Sequence, residues 1–295
     1  MARECRVIVL NLHSVSPKPS LLEPRLAPEV FAQLVEWMTP RLRIVTFGQL
    51  AEERSWTDDR PMAVLSFDDG YRDFVEYAMP ILARYGVRAN QNVIPGCVEA
   101  QRPPWNVHLL RVLEQIPADR AAKIRFPSLS PDVYWDRSNP ALFGLQVSRY
   151  IKNRSKADRD VLIQLLSEQL PELMEPLRGE MMSVNDVRVA AEEHELGLHS
   201  FDHDSMEFET DDFFRQDLAA CVRWSEQHLA VSPGIYAFPN GSYRPSQIKI
   251  ATDAGMEHVL LVGERSTARE SAVRSRVTVF GSDVRELRTR LARAA

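Results

Sequence analysis

Cysteine is scarce and odd in number. Cys5, Cys97 and Cys221 lie far apart in a chain of 295 residues. That excludes a disulfide framework and a cysteine-based zinc motif, and it fits buried thiols in a reducing compartment. Long apolar runs are also absent. The only early one, Val7 to Leu12, is broken by Asn11 and followed at once by His13. It is too short and too polar for a signal peptide or a membrane span, so the chain is expected to be cytoplasmic. An excess of positive charge is missing too: the formal charge is -5 and the pI about 5.9, which argues against nucleic acid as the main partner. No His-Glu-x-x-His occurs, so the ordinary zinc-peptidase motif is excluded. There is no internal repeat and no low-complexity tract. What remains is 44% hydrophobic, enough for one large globular domain or two small ones. The charge is uneven: from Arg265 onward eight arginines face three acids, leaving that tail at +5 and the rest at -10.

Against these absences stands Leu65-Ser66-Phe67-Asp68-Asp69-Gly70-Tyr71-Arg72-Asp73. Ala63 to Leu65 run into it as a strand too buried to alternate, and Phe74, Tyr77, Ala78, Ile81, Leu82 and Tyr85 follow at helical spacing. Two adjacent carboxylates therefore stand where a strand gives way to a helix, which is where ligands gather in α/β folds. Adjacent acids there repel each other and lose hydration, and a cation held by one of them is an economical compensation. Gly70 suits a positive φ or a close approach by a ligand. A solvated turn with a helix cap is the bland alternative. Asp58 and Asp59, in a polar turn before the strand, read as solvated.

Arg6 to Leu12 reads as a buried first strand ending at His13, which faces the same rim as the acid pair if the strands are parallel. Ala27-Pro28-Glu29 opens a helix carrying Val30, Phe31, Leu34, Val35 and Met38, and Pro40 stops it. Arg43 to Thr46 is a short strand. Val87 to Ile94 forms another, and strand–helix–strand with short joints is the signature of a parallel α/β unit. Residues 97–182 break that rhythm with helical pieces at Val107–Leu113 and Arg159–Leu170 and no clear buried strand. They are expected to form an insertion at the rim, within a single domain spanning 1–295. Trp105, Tyr134, Trp135 and Tyr150 lie in it; such aromatics stack on a sugar ring or, more commonly, pack the insertion's own core.

Ser183, with Asp186 three residues on, caps a helix that ends near His194. Glu195 to Leu198 is a short strand leading into His199-Ser200-Phe201-Asp202-His203. Asp211 to Leu229 is a long amphipathic helix, and Ile235 to Phe238 a strand ending in Pro239-Asn240-Gly241-Ser242-Tyr243. A helix at 246–254, strands at 256–262 and 276–279, and a basic helix at 283–295 complete the chain. That last helix could lie near an anionic membrane surface, although a solvated face is the simpler reading.

His199 and His203, four apart, can converge on one ion from a helical turn or a tight loop. Asp69 could add a carboxylate, leaving positions open for water and substrate as catalytic zinc requires. Two structural histidines at this spacing are not rare. His194, at a helix end, reads as non-catalytic. His108, His228 and His258 sit in or beside apolar elements and receive no role.

With these residues in view, the chain resembles the polysaccharide deacetylases, which share the homology domain of the nodulation chitooligosaccharide deacetylases and form carbohydrate esterase family 4. Ser66-Phe67-Asp68-Asp69-Gly70 matches that family's first motif and His199-Ser200-Phe201-Asp202-His203 its second. Pro239-Asn240-Gly241-Ser242-Tyr243 is similar to the third motif of the branch acting on bacterial exopolysaccharides. The likeness covers about 7–95 and 183–280. It implies a distorted (β/α)7-8 barrel, with a largely helical insertion here. It further implies Asp68 as general base and Asp69, His199 and His203 as ligands of one divalent ion. Zinc is the first expectation, with cobalt, nickel or iron(II) as alternatives. A backbone N–H of the turn at Pro239, Asn240, Gly241 and Tyr243 is expected to meet the oxyanion, and Trp105 and Trp135 to contact substrate.

The chain also departs from the pattern. Many relatives carry a catalytic histidine on a late strand, in Leu-x-Leu-His; Leu260-Leu261-Val262-Gly263 has none. In the exopolysaccharide branch the order is permuted and an early Tyr-His supplies the acid, a position held here by Leu12-His13. The third-motif arginine is missing, with Ala237 in its place, which leaves open whether another arginine orients Asp68. The implied reaction is metal-assisted removal of an N-acetyl group from an amino-sugar-containing saccharide, with protonated His13 donating to the leaving amine. A lipid-linked precursor fits the missing signal segment. The alternatives are hydrolysis of a small amide or cyclic ureide on the same fold, and a non-catalytic carbohydrate-binding protein.

Overall fold

A computed structural model describes residues 6–18, 25–51, 60–125, 139–175, 177, 179–281 and 283–294. Cys5, Asp58, Asp59, Tyr134 and Trp135 lie outside the described residues. The barrel strands are β1 (Arg6–Leu12), β2 (Met62–Phe67), β3 (Asn90–Val93), β4 (Glu195–Leu198), β5 (Ile235–Ala237), β6 (His258–Gly263) and β7 (Val273–Thr278). Each pairs in parallel with the next, and β7 pairs in parallel with β1, which closes the ring. The expected (β/α)7-8 barrel is realised with seven strands. Between β6 and β7 the chain forms no described helix but a short strand, Thr267–Ala268, antiparallel to the start of β1.

Side-chain alternation divides the barrel into an outer and an inner face. Ile8, Leu10 and Leu12 of β1 face outward into the largest apolar cluster. They meet Phe31, Leu34 and Val35 of α1 (Pro28–Met38), with Phe74, Ile81 and Leu82 from the segment after β2. Val7 and Val9 have the opposite parity and join Val64, Ile235, Ala237 and Leu260 in a separate cluster in the lower half of the interior. Continuing that inner parity upward gives Asn11, Ser66, Asn92 and Arg276, all buried. The barrel is therefore apolar below and polar above.

Several boundaries differ from the sequence expectation. The helix after the acid pair begins as a π turn, Phe74–Ala78, before becoming α-helical at Met79–Arg84. β3 is shorter than 87–94, and its Asn90, Gln91 and Asn92 are fully buried. β7 starts at Val273, before the expected residue 276, because Arg274 and Arg276 sit buried in it and hide it from an apolar pattern.

The insertion contains α2 (Trp105–Gln115), α3 (Pro140–Lys152) and α4 (Lys156–Ser167). Its helices bury Leu109, Leu113, Phe143, Val147, Ile151, Leu162 and Leu166 against one another in a core of their own. The chain then returns to the rim: Tyr71 bridges Met181, and the Met182 N–H donates to the Gly70 carbonyl at 3.0 Å. Next come α5 (Val184–Glu193), opened by the Ser183–Asp186 capping box, and α6 (Asp211–Leu229). The final α7 (Val284–Ala294) buries Leu287 and Leu291 in the main cluster, and Arg288 stacks over Trp37. No described helix is long and apolar enough to cross a membrane.

Candidate active site

Asp68 is the first residue beyond β2, and the inner parity of that strand turns it over the mouth of the barrel. Arg276 of β7 grips it from below. Arg276 Nη1 donates to Asp68 Oδ1 at 2.7 Å and Nη2 donates to Oδ2 at 2.8 Å. Asn92 Nδ2 adds a third donor to Oδ1 at 2.7 Å. The Asn92 side chain has room because Gly197 faces it; a Cβ there would fall 2.1 Å from Asn92 Oδ1. Burial works to raise the Asp68 carboxyl, but the Arg276 guanidinium outweighs it, with help from His199 and His13. The net effect holds Asp68 below the usual carboxylate range. It is an anion fixed by a two-pronged ion pair. The arginine missing from the third motif is thus supplied by a different strand.

Asp69 has φ 76°, a left-handed conformation that turns its side chain away from that of its neighbour. His199 leaves β4, and its Nδ1 donates to the Ala237 carbonyl at 2.8 Å. With the proton on Nδ1, the lone pair lies on Nε2, which points at Asp69 Oδ1 from 3.5 Å. His203 Nε2 is 3.5 Å from the same oxygen. Burial lowers the pKa of both imidazoles, so both are neutral at neutral pH. The His199 lone pair aimed at a carboxylate oxygen repels it unless a cation lies between them. The three ligand atoms fall within 4.8 Å of one another and all three residues are buried, so the set fits a divalent ion.

The segment 199–203 is a tight loop rather than a helical turn, with Ser200 and His203 both at φ 59°. Of the six described non-glycine residues with positive φ, Asp69, Ser200, His203 and Asn240 cluster here, so backbone strain concentrates around the trio. The loop is held by Asp217 of α6, whose Oδ1 accepts the Phe201 N–H at 2.9 Å and the Ser200 hydroxyl at 3.2 Å. On its far side, Asp204 forms an ion pair with Arg159 of α4.

His13 follows β1 and borders a cavity of about 260 Å³ shared with Asp68, Asp69, His199, His203, Asn240 and Lys152. The turn behind it is fixed by Asp73, which accepts hydrogen bonds from the Ser14 hydroxyl and, at 3.4 Å, the Val15 N–H. Burial pushes the His13 imidazole down to about 4, against the pull of Asp68 and with that of Arg276. A desolvated site beside a guanidinium disfavours a second cation, so His13 is neutral at neutral pH before substrate binds.

The expected substrate contacts divide. Asn240 borders the cavity. Within its turn, the Gly241 and Ser242 N–H groups are taken by the carbonyls of Phe238 and Pro239, and Pro239 has no N–H. The Asn240 side chain, beside the cavity, holds Ser205 Oγ at 3.0 Å. Tyr243 packs its ring on Phe238 and does not border the cavity. Trp105 is also turned away: α2 directs Val107 and Leu110 to this cavity, and Trp105 and His108, three apart on another face, to a neighbouring one. Sequence reasoning missed Arg276, Asn92 and Lys152. The available signal for the first was an arginine at an inward position of a strand.

The sequence model of the polysaccharide deacetylase family matches residues 184–259, which include His199, His203 and the 239–243 turn. Among solved structures, the deacetylase PplD of Streptococcus pyogenes, in complex with acetate, superposes with a TM-score of 0.62 at 13% identity. The match covers 96% of this chain and 97% of that one. IcaB of Ammonifex degensii gives 0.60 at 17%, covering 96% of each chain. A de-N-acetylase of Aggregatibacter actinomycetemcomitans gives 0.59 at 13%, covering 97% and 99%. Among curated protein sequences, none matches the chain. At these identities the structural likeness establishes the fold. The chain thus shares its barrel fold with these deacetylases, and over residues 184–259 its sequence is similar to the polysaccharide deacetylase family.

Proposed function

We propose that the chain is a metal-dependent N-deacetylase that hydrolyses the N-acetyl group of an amino-sugar-containing saccharide and releases acetate. The observation that carries this reading is the pairing of two unlike carboxylates: Asp68 fixed by Arg276 and Asn92, and Asp69 beside two neutral histidines. A divalent ion held by Asp69, His199 and His203, zinc in the first instance, would polarise the acetyl carbonyl and acidify water. Asp68, ionised and oriented, accepts a proton from the attacking water. A backbone N–H of the 239–243 turn, with Asn240 at the cavity, would meet the oxygen that becomes negative. His13 takes up the proton within the reaction cycle and passes it to the amine nitrogen as the C–N bond breaks. The sum is amide plus water giving acetate plus the protonated amine, with no further reagent.

Acetate release from N-acetylglucosamine oligomers, run beside ammonia release from small amides and cyclic ureides, tests the reading. The expected result is acetate formation that stops on chelation and returns with added metal. Asp68→Asn should keep the ion, by elemental analysis, and lower turnover about 10²–10⁴-fold. His203→Ala should lose the ion. Ureide turnover without acetate release would transfer the site to small amides, and a fully active Asp68→Asn would remove Asp68 as the base.

A further inference from the structure

Lys152 is a cation that hydrolysis of a neutral N-acetyl sugar does not use. It is the last residue of α3 and borders the cavity around Asp68. Its helix is locked into the insertion's core through Phe143, Val147 and Ile151, so the position of this residue is set by packing. Among the described residues its ammonium has no hydrogen-bond or ion-pair partner within contact distance. Burial lowers its pKa, and Asp69 is the one group pulling the other way. Its charge is also felt by His13 and His203.

The charges around the cavity do not balance without an anion. Asp68 is already answered by Arg276. Asp69 carries one negative charge and faces both the metal position and Lys152. Once a divalent ion sits on Asp69, nothing among the cavity's described side chains neutralises the ammonium. A half-buried cation without a counter-charge loses part of its hydration without recompense. A substrate that carries its own negative group removes that cost on binding.

We propose that this cavity takes an N-acetylated saccharide bearing an oxyanion, a carboxylate or a phosphate, and that Lys152 binds that group. The proposal rests on the deacetylase reading for its acetamido group and adds the charge of the substrate. Lys152 reaches the cavity from the insertion, so the insertion sets specificity while the barrel supplies the hydrolytic groups.

Calorimetric titration of the metal-loaded protein tests this with three probes that lack the acetamido group and are not turned over: glucose, glucose 6-phosphate and glucuronate. One of the charged probes should bind about 10–100-fold tighter than glucose. Which of the two does so identifies phosphate or carboxylate as the recognised group. Added salt should shrink the preference. Lys152→Gln should bring the charged-to-neutral ratio close to one, and Lys152→Arg should retain it. If Lys152→Gln fails to fold, Lys152→Arg and the salt series on the natural protein carry the test. Equal affinity for all three probes, or a ratio that Lys152→Gln leaves intact, overturns the proposal. Assays of acetate release from the N-acetylated counterparts keep the two readings apart. An anion preference without acetate release rejects the deacetylase and leaves Lys152, whereas acetate release without a preference rejects only Lys152.

Discussion

The lower and upper halves of the barrel interior are built from the same strands at the same side-chain parity, yet their chemistry is opposite. Below, Val7, Val9, Val64, Ile235, Ala237 and Leu260 bury apolar surface. Above, polar side chains bond to one another. The Ser66 hydroxyl donates to Asn90 Oδ1 at 2.8 Å and accepts from Asn92 Nδ2 at 3.1 Å; Arg276 then joins both layers to Asp68. A buried guanidinium and carboxylate are poor sources of stability once desolvation is counted. The lower half closes the barrel, and the upper half uses the rigidity so provided to hold one carboxylate in one orientation.

Removing the guanidinium should break this division most severely. Arg276→Met leaves Asp68 buried without its partner, which costs about 3–5 kcal/mol and should lower turnover more than about 10³-fold. Leu260→Ala, in the lower half, should cost a similar ~2–5 kcal/mol through its cavity. Its turnover, measured well below the melting temperature, should stay within about threefold of the natural protein. Denaturant melts and steady-state kinetics on both variants decide the matter. If Leu260→Ala loses turnover as Arg276→Met does, the halves are not separable.

A smaller effect comes from Gly197, the point where the two halves meet. A Cβ there would lie 2.1 Å from Asn92 Oδ1 and 3.0 Å from Ile235 Cγ2, one contact in each half. Gly197→Ala should displace Asn92 and weaken its bond to Asp68, costing about 1–3 kcal/mol and lowering turnover by roughly tenfold. Adding Asn92→Ala should relieve the clash and recover stability without recovering turnover. A double variant less stable than Gly197→Ala alone would mean that the glycine serves some other purpose.

The legible parts of the site are those written as contiguous stretches. The acid pair and the two histidines leave their strands within a few residues of each other, so chain spacing carries the geometry. The parallel α/β pattern was legible because buried strands and short joints repeat along the chain, and the barrel followed from the family resemblance. Arg276 was not, because it is 208 residues from Asp68 and lies in a strand whose inward positions are arginines. Periodicity reads such a segment as exposed. The neutral state of His13 was hidden for a related reason: its cause is Arg276 and burial, both of which exist only in the fold. Trp105 carried a plausible chemistry, but which helix face meets which cavity is decided by how the insertion docks.

The smallest expected effect is at the lower end of the barrel, where titration should alter stability and leave chemistry alone. His194 caps α5 just before β4, is buried, and its Nδ1 accepts the Ala89 N–H at 3.1 Å. Burial, aided by Arg88, depresses its pKa from 6.5 to about 4. The unfolded chain therefore binds a proton first as the pH falls, so this group's contribution is present above about 6.5 and declines toward pH 4. The slope is bounded by one proton, about 1.4 kcal/mol per pH unit. Asp73 and Asp217 act in the opposite sense. Burial raises them to about 6 and about 7, so their contribution is present at low pH and lost as the pH rises through those values. The melting curve of the natural protein mixes both trends, and a difference measurement isolates one. His194→Asn preserves an acceptor for Ala89 without a proton to gain. The stability difference between the two proteins should be constant above pH 7 and change between pH 6.5 and 4, in the sense of the variant losing less on acidification. Turnover at pH 7 should move by less than about twofold. Parallel stability curves across that range would show that His194 does not titrate in the fold as its burial implies.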